Sequence, residues 1–150
     1  MTEVALPPEA NLAPLMRQKV ATLQSALMEL PQYQPETKHY FHGGMYCREV
    51  YRAEGVLVVG AVHRKEHFYE IVRGRVLVTD GTNEPQEFCA PALLLSKPGT
   101  KRAVLSLEPT LCRTFHASNA KTVEEAEAEL VESEPSSYAP GNVLKTEVIK

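Results

Sequence analysis

Two histidines four residues apart are the residues whose spacing first indicates chemistry. His63 and His67 lie in the run GAVHRKEHFYEIVRGRVLV, residues 60–78. Imidazole serves proteins both as a transition-metal ligand and as a general base. The β-branched and aromatic residues around the pair favour a strand, and Gly74 disfavours a helix. Because side chains alternate along a strand, we expect His63 and His67 to share one face.

A third group for such a site must come from another part of the chain. His116 lies in a later predicted strand, and His42 and Glu49 lie in or next to an earlier one. Three such groups would suit one divalent ion of Zn, Fe, Mn or Ni, with a coordination position left open. The sequence predicts His63, His67 and His116 as the metal ligands of this site.

Two basic residues favour a different chemistry in the same place. Lys101 and Arg102 follow the predicted Pro98-Gly99 turn. A guanidinium cannot ligate a metal and its charge opposes a cation, so the sequence favours a site without metal. With His63 and His67, the two bases would form a cationic cavity for a small anion, such as a carboxylate, phosphate or acidic sugar. These four residues are then the catalytic candidates, with an imidazole as general base. The candidate general acids are Tyr46, Tyr51 and Tyr69.

Short strands must position these residues. Apolar, alternating segments recur every eight to twelve residues between about 39 and 117, separated by Gly and Pro and without helical segments. This pattern predicts an all-β antiparallel barrel or sandwich of about eight strands. A helix with an apolar stripe is predicted from Asn11, and a second from Thr122, which forms a capping box with Glu125. The predicted divisions are an N-terminal helix and linker (1–38), the barrel (39–117), and a C-terminal helix and tail (118–150).

Composition excludes several classes of function. A chain of 150 residues suits one domain, and its net charge of -3 does not favour binding to nucleic acid. No apolar run approaches the ~20 residues of a membrane span, and the N-terminus does not resemble a secretory signal. Three widely spaced cysteines without a CxxC pair are expected to be buried apolar residues. We therefore expect a cytoplasmic protein.

The segment from Gly60 to Gly74, followed by SKPGTKR at residues 96–102, resembles the two motifs of the cupin superfamily. The resemblance implies a cupin or jelly-roll barrel, and we expect the predicted N-terminal and C-terminal helices to pack against its outside. The resemblance also implies a degenerate metal site. His67 stands where the family has its glutamate, His63 matches the second histidine of the first motif, and Ala61 replaces the first. Arg102 replaces the histidine of the second motif.

More narrowly, the run from His42 through AVHRKEH and KPGTKR to His116 resembles small cupin-like proteins encoded by tailed bacteriophages and prophages. This resemblance implies a location in the host cytoplasm or the virion. Because half of the usual ligands are missing, the sequence favours a binding or structural module, with a virion or host protein as a candidate partner. In that case His63, His67 and Glu70 would form a polar cluster, and Arg102 would pair with Glu70 or Glu108.

The alternative is a small-molecule enzyme that uses the barrel pocket. It would be either metal-dependent and dioxygenase-like or a metal-free isomerase or epimerase. In either case, exposed strand edges and the leucine-rich N-terminal helix predict a homo-oligomer, with a dimer favoured.

Overall fold

The computed structural model describes residues 13–27, 29, 35–79 and 84–132. Within these ranges, helix α1 (Ala13–Leu27) precedes nine strands and helix α2 (Val123–Leu130) follows them. The strands are β1 (Glu36–His42), β2 (Met45–Arg52), β3 (Leu57–Val59), β4 (His67–Arg73), β5 (Arg75–Thr79), β6 (Gln86–Cys89), β7 (Ala92–Ser96), β8 (Ala103–Ser106) and β9 (Thr110–Ala117).

The strands form two antiparallel sheets that face each other. The larger sheet has the order β1-β2-β9-β4-β7, and the smaller has the order β3-β8-β5-β6. Tight turns at positive-φ glycines, such as Gly74 between β4 and β5, let the chain pass from one sheet to the other. The predicted all-β antiparallel jelly roll is confirmed.

The inward side chains of the larger sheet lie in cross-strand rows. One row carries mostly apolar side chains and is buried except at the half-buried Ala92, and it consists of Thr37, Val50, Cys112, Ile71 and Ala92. Ile71 and Cys112 from this row contact Val76, Val78 and Val104 of the smaller sheet and form the main core. The rows toward the α2 end carry polar side chains instead. The barrel interior is therefore filled with apolar side chains at its centre and lined with polar ones at that end.

Helix α1 packs on the outside of the smaller sheet, whereas α2 packs on the inward-facing Tyr46 at one end of the barrel, which corrects the expectation that both helices pack outside. Val20 of α1 packs on Val59 and Ala103 of the smaller sheet. Ala126 and Leu130 of α2 pack on Tyr46, which is 5% exposed. The Thr122 hydroxyl accepts from the Glu125 backbone N–H, as the predicted capping box requires. The Glu125 carboxylate accepts instead from the Lys121 N–H, one residue before the expected donor.

Three local expectations need correction. Strand β1 begins at Glu36, so part of the predicted linker is a barrel strand. His63 lies in a loop outside β4, because the chain bends at Arg64 and Lys65 before the strand begins at His67. Cys89 is exposed rather than buried.

Two expectations fall on residues that are not described: the start of the N-terminal helix at Asn11 and the predicted tail beyond residue 132. Among the residues that are described, no helix is both long and apolar enough to span a bilayer.

Candidate metal centre

Three imidazoles meet at the α2 end of the barrel. One ring nitrogen from each of His63, His67 and His116 lies within 4.8 Å of the others. The ring centroids are 4.4 Å apart for His67 and His116, 4.5 Å for His63 and His67, and 5.1 Å for His63 and His116. The three histidines predicted from the sequence are therefore brought together, and we call them the triad.

The loop that carries His63 is held on two sides. Its backbone forms an antiparallel bridge with Val131, at the end of α2. Arg64 N–H donates to the Leu130 carbonyl at 2.7 Å, and Gly99 N–H donates to the His63 carbonyl at 3.0 Å. The C-terminal helix and the Pro98-Gly99 turn therefore position this imidazole, although His63 belongs to neither sheet.

The other two imidazoles come from neighbouring strands of the larger sheet. His67 is the first residue of β4, and His116 is near the end of β9. The two strands pair antiparallel, with Phe68 opposite Phe115, which places His67 and His116 side by side on the inner face. The third histidine of the triad therefore comes from β9, whereas the cupin motif takes it from the segment after the Pro-Gly turn.

Hydrogen bonds orient two of the rings. Nδ1 of His63 lies 3.1 Å from the Ala61 carbonyl oxygen, and Nδ1 of His67 lies 3.4 Å from the Lys65 carbonyl oxygen. A carbonyl only accepts, so each Nδ1 carries the proton and each Nε2 presents a lone pair. Nε2 of His116 lies 2.9 Å from the Thr114 hydroxyl, which leaves its Nδ1 as the second possible ligand atom.

The triad is neutral near pH 7. Burial, followed by the charge of His67, lowers the pKa of His63 to about 4. Burial and the charges of His67 and His63 lower the pKa of His116 to about 2. Burial lowers the pKa of His67 as well, and the Arg102 guanidinium lowers it further. Because a metal ligand must present a lone pair, neutral imidazoles are the form that a cation requires.

Basic side chains lie around the triad. Arg102 donates to the Ser96 hydroxyl and, at 3.0 Å, to the Leu95 carbonyl, and its guanidinium lies 6.0 Å from the centroid of the Tyr69 ring. Ser96 is the cross-strand partner of His67, so Arg102 lies beside the triad as predicted. Lys101 is 3% exposed.

Several other candidates lie elsewhere. His42 is exposed at the end of β1, and Glu49 faces outward and pairs with Arg113 at 2.7 Å. Tyr51 is also on the outer face, whereas Tyr46 and Tyr69 point inward. The triad thus draws on neither His42 nor Glu49.

The predicted structural cluster is wrong as well. Glu70 lies 3.8 Å from Arg113 on the outer face, and Glu108 lies 3.7 Å from Arg75. Neither carboxylate lies beside the triad or pairs with Arg102. Side chains alternate along β4, so Glu70 points outward whereas His67 and Tyr69 point inward.

Two groups near the triad were not predicted. His39 Nδ1 lies 2.6 Å from the Tyr46 hydroxyl, and the Tyr46 ring stacks on His116 at 5.5 Å. Arg48 faces inward between Tyr46 and Val50, with the alternation typical of a strand. That alternation was the available signal, and it would have assigned Arg48 to the interior.

No family model and no curated protein matches this chain. Solved structures do match its fold. A cupin superfamily protein from Desulfitobacterium hafniense is 14% identical, with a TM-score of 0.50 over 79% of this chain and 99% of that one. A conserved protein with a double-stranded β-helix domain from Klebsiella pneumoniae is 15% identical, with a TM-score of 0.51 over 69% of this chain and 90% of that one. The chain therefore has the double-stranded β-helix fold of the cupin superfamily.

Proposed function

We propose that this chain is a small metal-binding protein in which His63, His67 and His116 hold one divalent ion of Zn, Fe, Mn or Ni. The observation that carries the proposal is the convergence of three ligand nitrogens within 4.8 Å. Ligands about 2.0–2.1 Å from a Zn²⁺ ion in a tetrahedral site lie roughly 3.4 Å apart, so small ring rotations would close the triad around an ion. This proposal departs from the sequence analysis, which favoured no metal.

Three protein ligands leave a coordination position open. Sites of this kind use the open position for water or for a substrate, whereas purely structural zinc sites take four protein ligands. The bound ion would supply Lewis acidity at that position. The chain's own groups would orient the ligand, since the Thr114 hydroxyl contacts His116 and the Arg102 guanidinium donates to Ser96, the cross-strand partner of His67. The geometry thus favours a small-molecule enzyme over a purely structural role.

Metal titration tests this proposal. Protein purified without chelator and without a metal-affinity tag is loaded with Zn²⁺, and the bound ion is counted by elemental analysis. We expect one ion per chain, and a loss of at least tenfold in affinity for His63→Ala, His67→Ala and His116→Ala. His42→Ala is the matched control, because His42 is exposed and distant from the triad. Substoichiometric metal, or equal loss in the control, would overturn the proposal.

A second candidate function concerns the outer face of the larger sheet. An apolar row crosses it, formed by Tyr40, Cys47, Phe115, Phe68 and Leu95 as consecutive cross-strand partners. Phe68 is 47% exposed, and Leu95 is 67% exposed. Large apolar patches on a protein surface mark interaction sites. This row supports the binding role that the sequence analysis favoured.

A second copy of this chain is the partner that fits this face. The neighbouring outer row alternates in charge across four strands: Lys38, Glu49, Arg113 and Glu70. If a two-fold axis parallel to the strands relates two such faces, Lys38 meets Glu70 and Glu49 meets Arg113, so opposite charges face each other. The same rotation places the apolar rows in contact. The resemblance to phage-encoded proteins adds a virion protein as a different partner, and that assignment rests on sequence motifs alone.

Sedimentation at several protein concentrations distinguishes these partners. We expect a wild-type dimer, and a weakening of at least 100-fold in Phe68→Glu, which places a charge in the apolar row. Glu124→Lys, on the exposed side of α2, is the control and should remain dimeric. A monomeric wild type, or a Phe68→Glu variant that still dimerises, would contradict the self-association proposal.

A further inference from the structure

A second row of side chains lies immediately inside the triad. His39, Arg48, Thr114 and Tyr69 are consecutive cross-strand partners on β1, β2, β9 and β4, and all four point into the barrel. We call them the inner row. Arg48 is two residues from Tyr46, which stacks on His116, so the two rows are about 7 Å apart along the strands.

Arg48 brings a positive charge into this row without an anionic partner. Within residues 13–27, 35–79 and 84–132, no carboxylate lies within ion-pair distance of its guanidinium. Burial and then the charge of Arg52 lower the pKa of Arg48, and the Glu127 carboxylate acts in the opposite direction without forming an ion pair with it. The carboxylates with ion pairs described above, Glu49 and Glu70, point to the outer face instead. The positive charge of the inner row therefore favours the binding of an anion.

Neighbouring guanidiniums are already engaged. Arg52 donates to the Tyr69 hydroxyl at 3.1 Å, and Arg102 donates to Ser96 and Leu95. Both add positive potential, but some of their N–H groups already donate to other groups of the protein. Arg48 is the guanidinium whose planar pair of N–H groups matches the two oxygens of a single carboxylate.

Thr114 connects the inner row to the triad. It lies directly opposite Arg48 on the neighbouring strand, and its hydroxyl contacts Nε2 of His116 at 2.9 Å. When His116 binds a metal through Nδ1, its Nε2–H donates to the Thr114 oxygen, and the Thr114 proton is then directed to another acceptor. An anion on Arg48 would be that acceptor.

We propose that the inner row binds the carboxylate group of a small organic acid, held by the Arg48 guanidinium and the Thr114 hydroxyl, beside the metal centre. This inference rests on the proposed function and specifies its ligand class. One planar fork and one hydroxyl match a flat monoanionic group better than a phosphate, which carries more charge and more acceptor oxygens.

Such an anion site also explains how a bound metal ion and several cationic side chains can lie close together. Arg48 lies in the row next to the triad, directly opposite Thr114, whose hydroxyl contacts His116. A cation at the triad is therefore opposed by Arg48 until an anion lies between them. Binding of metal and of carboxylate should consequently be cooperative, and by linkage each should strengthen the other by the same factor.

Calorimetric titration of the full chain tests this coupling. Zn²⁺ is titrated first alone, then acetate, succinate and inorganic phosphate are each titrated into Zn²⁺-loaded and metal-free protein. We expect acetate or succinate to bind at least fivefold more tightly to the Zn²⁺-loaded protein, and more tightly than phosphate. Arg48→Gln should weaken carboxylate binding at least tenfold and should leave the affinity for Zn²⁺ alone unchanged or higher. Arg73→Gln, an equal charge change on the exposed end of β4, is the matched control.

The outcomes separate the two proposals. Failure to bind Zn²⁺ in the first titration overturns the metal centre, whereas normal Zn²⁺ binding without a carboxylate effect overturns the inner-row site alone. Tighter binding of phosphate than of carboxylates, or equal loss in Arg73→Gln, also overturns the inner-row site. Arg48→Lys retains the charge without the planar fork, so it provides a folded substitute if Arg48→Gln unfolds, and we expect it to bind carboxylates less tightly than wild type.

Discussion

His63 pairs with Val131 in an antiparallel bridge, so one imidazole of the triad is carried by backbone that is fastened to the end of the C-terminal helix. The Glu132 N–H donates to the Val62 carbonyl at 2.8 Å, on the other side of the same bridge. The exposed ion pair between Lys65 and Glu129 joins the two segments at 2.7 Å. The stability of α2 and the geometry of the triad are therefore coupled.

Truncation of Leu130 tests this coupling. Leu130 is 2% exposed and packs with Tyr46, so Leu130→Ala should lower the free energy of unfolding by about 2–5 kcal/mol. It should also weaken Zn²⁺ binding, because the Leu130 carbonyl accepts from the Arg64 N–H beside His63. Chemical denaturation and metal titration measure the two effects. Lys65→Gln, which removes the exposed ion pair with Glu129 and leaves the Glu129 carboxylate bonded to Ser118, should cost less than about 1 kcal/mol. Equal losses in the two variants would argue against the coupling.

Gly74 is constrained by both conformation and space. Its φ is +92°, and an added Cβ would collide with the Pro109 carbonyl oxygen and lie 2.9 Å from Cγ2 of Thr110. Gly74→Ala should therefore cost about 2–5 kcal/mol, the sum of a left-handed backbone and overpacking. Gly55→Ala is the matched control, since Gly55 has φ +84° but no atom within 4 Å of an added Cβ, and it should cost about 1–2 kcal/mol. Equal unfolding free energies for the two variants would contradict the close contact at Gly74.

Metal-free protein should lose stability in mild acid. Burial, followed by the charge of Arg48, lowers the pKa of His39 to about 4, and burial lowers the pKa of His63 to about 4 as well. The unfolded chain binds protons near the ordinary histidine value of 6.5 and the folded chain does not, so stability falls as pH drops from about 6.5 toward 4. Each of these two histidines would contribute up to about 2 kcal/mol of this loss at pH 5.

Urea unfolding of chelator-treated protein at pH 7.5 and pH 5 measures this loss. His39→Gln removes one of these two imidazoles and should lose less stability than wild type between the two pH values. Constant stability between the two pH values would show that these imidazoles are not held neutral by the fold.

The sequence predicted the barrel because strand alternation and glycine turns are local properties. The same alternation correctly placed His67 and His116 on the inner face. It failed for His63, because the residues between the two histidines bend as a loop, and the ring reaches the triad through contacts with α2 and the Pro98-Gly99 turn. Contacts between segments that are 68 residues apart, such as His63 and Val131, leave no local pattern in the sequence.

The role of Arg102 could not be predicted from the sequence either. In the sequence it stood only as a lost ligand and an opposing charge, whereas in the structure it is engaged with Ser96 and Leu95 beside a complete triad. In the proposed ligand set its place is taken by His116 from another strand. A search by motif spacing could not find this replacement, since it depends on the pairing of β4 with β9.

X-ray absorption spectroscopy of the Zn²⁺-loaded protein tests the central claim most directly. We expect three imidazole nitrogens at about 2.0–2.1 Å, with the outer-shell scattering of three histidine rings and one or more light atoms at the open position. Loss of one ring from the spectrum in His116→Ala would assign the ligand contributed by β9. A sulfur shell at about 2.3 Å, or fewer than two imidazoles in the wild-type spectrum, would contradict the triad as the metal site.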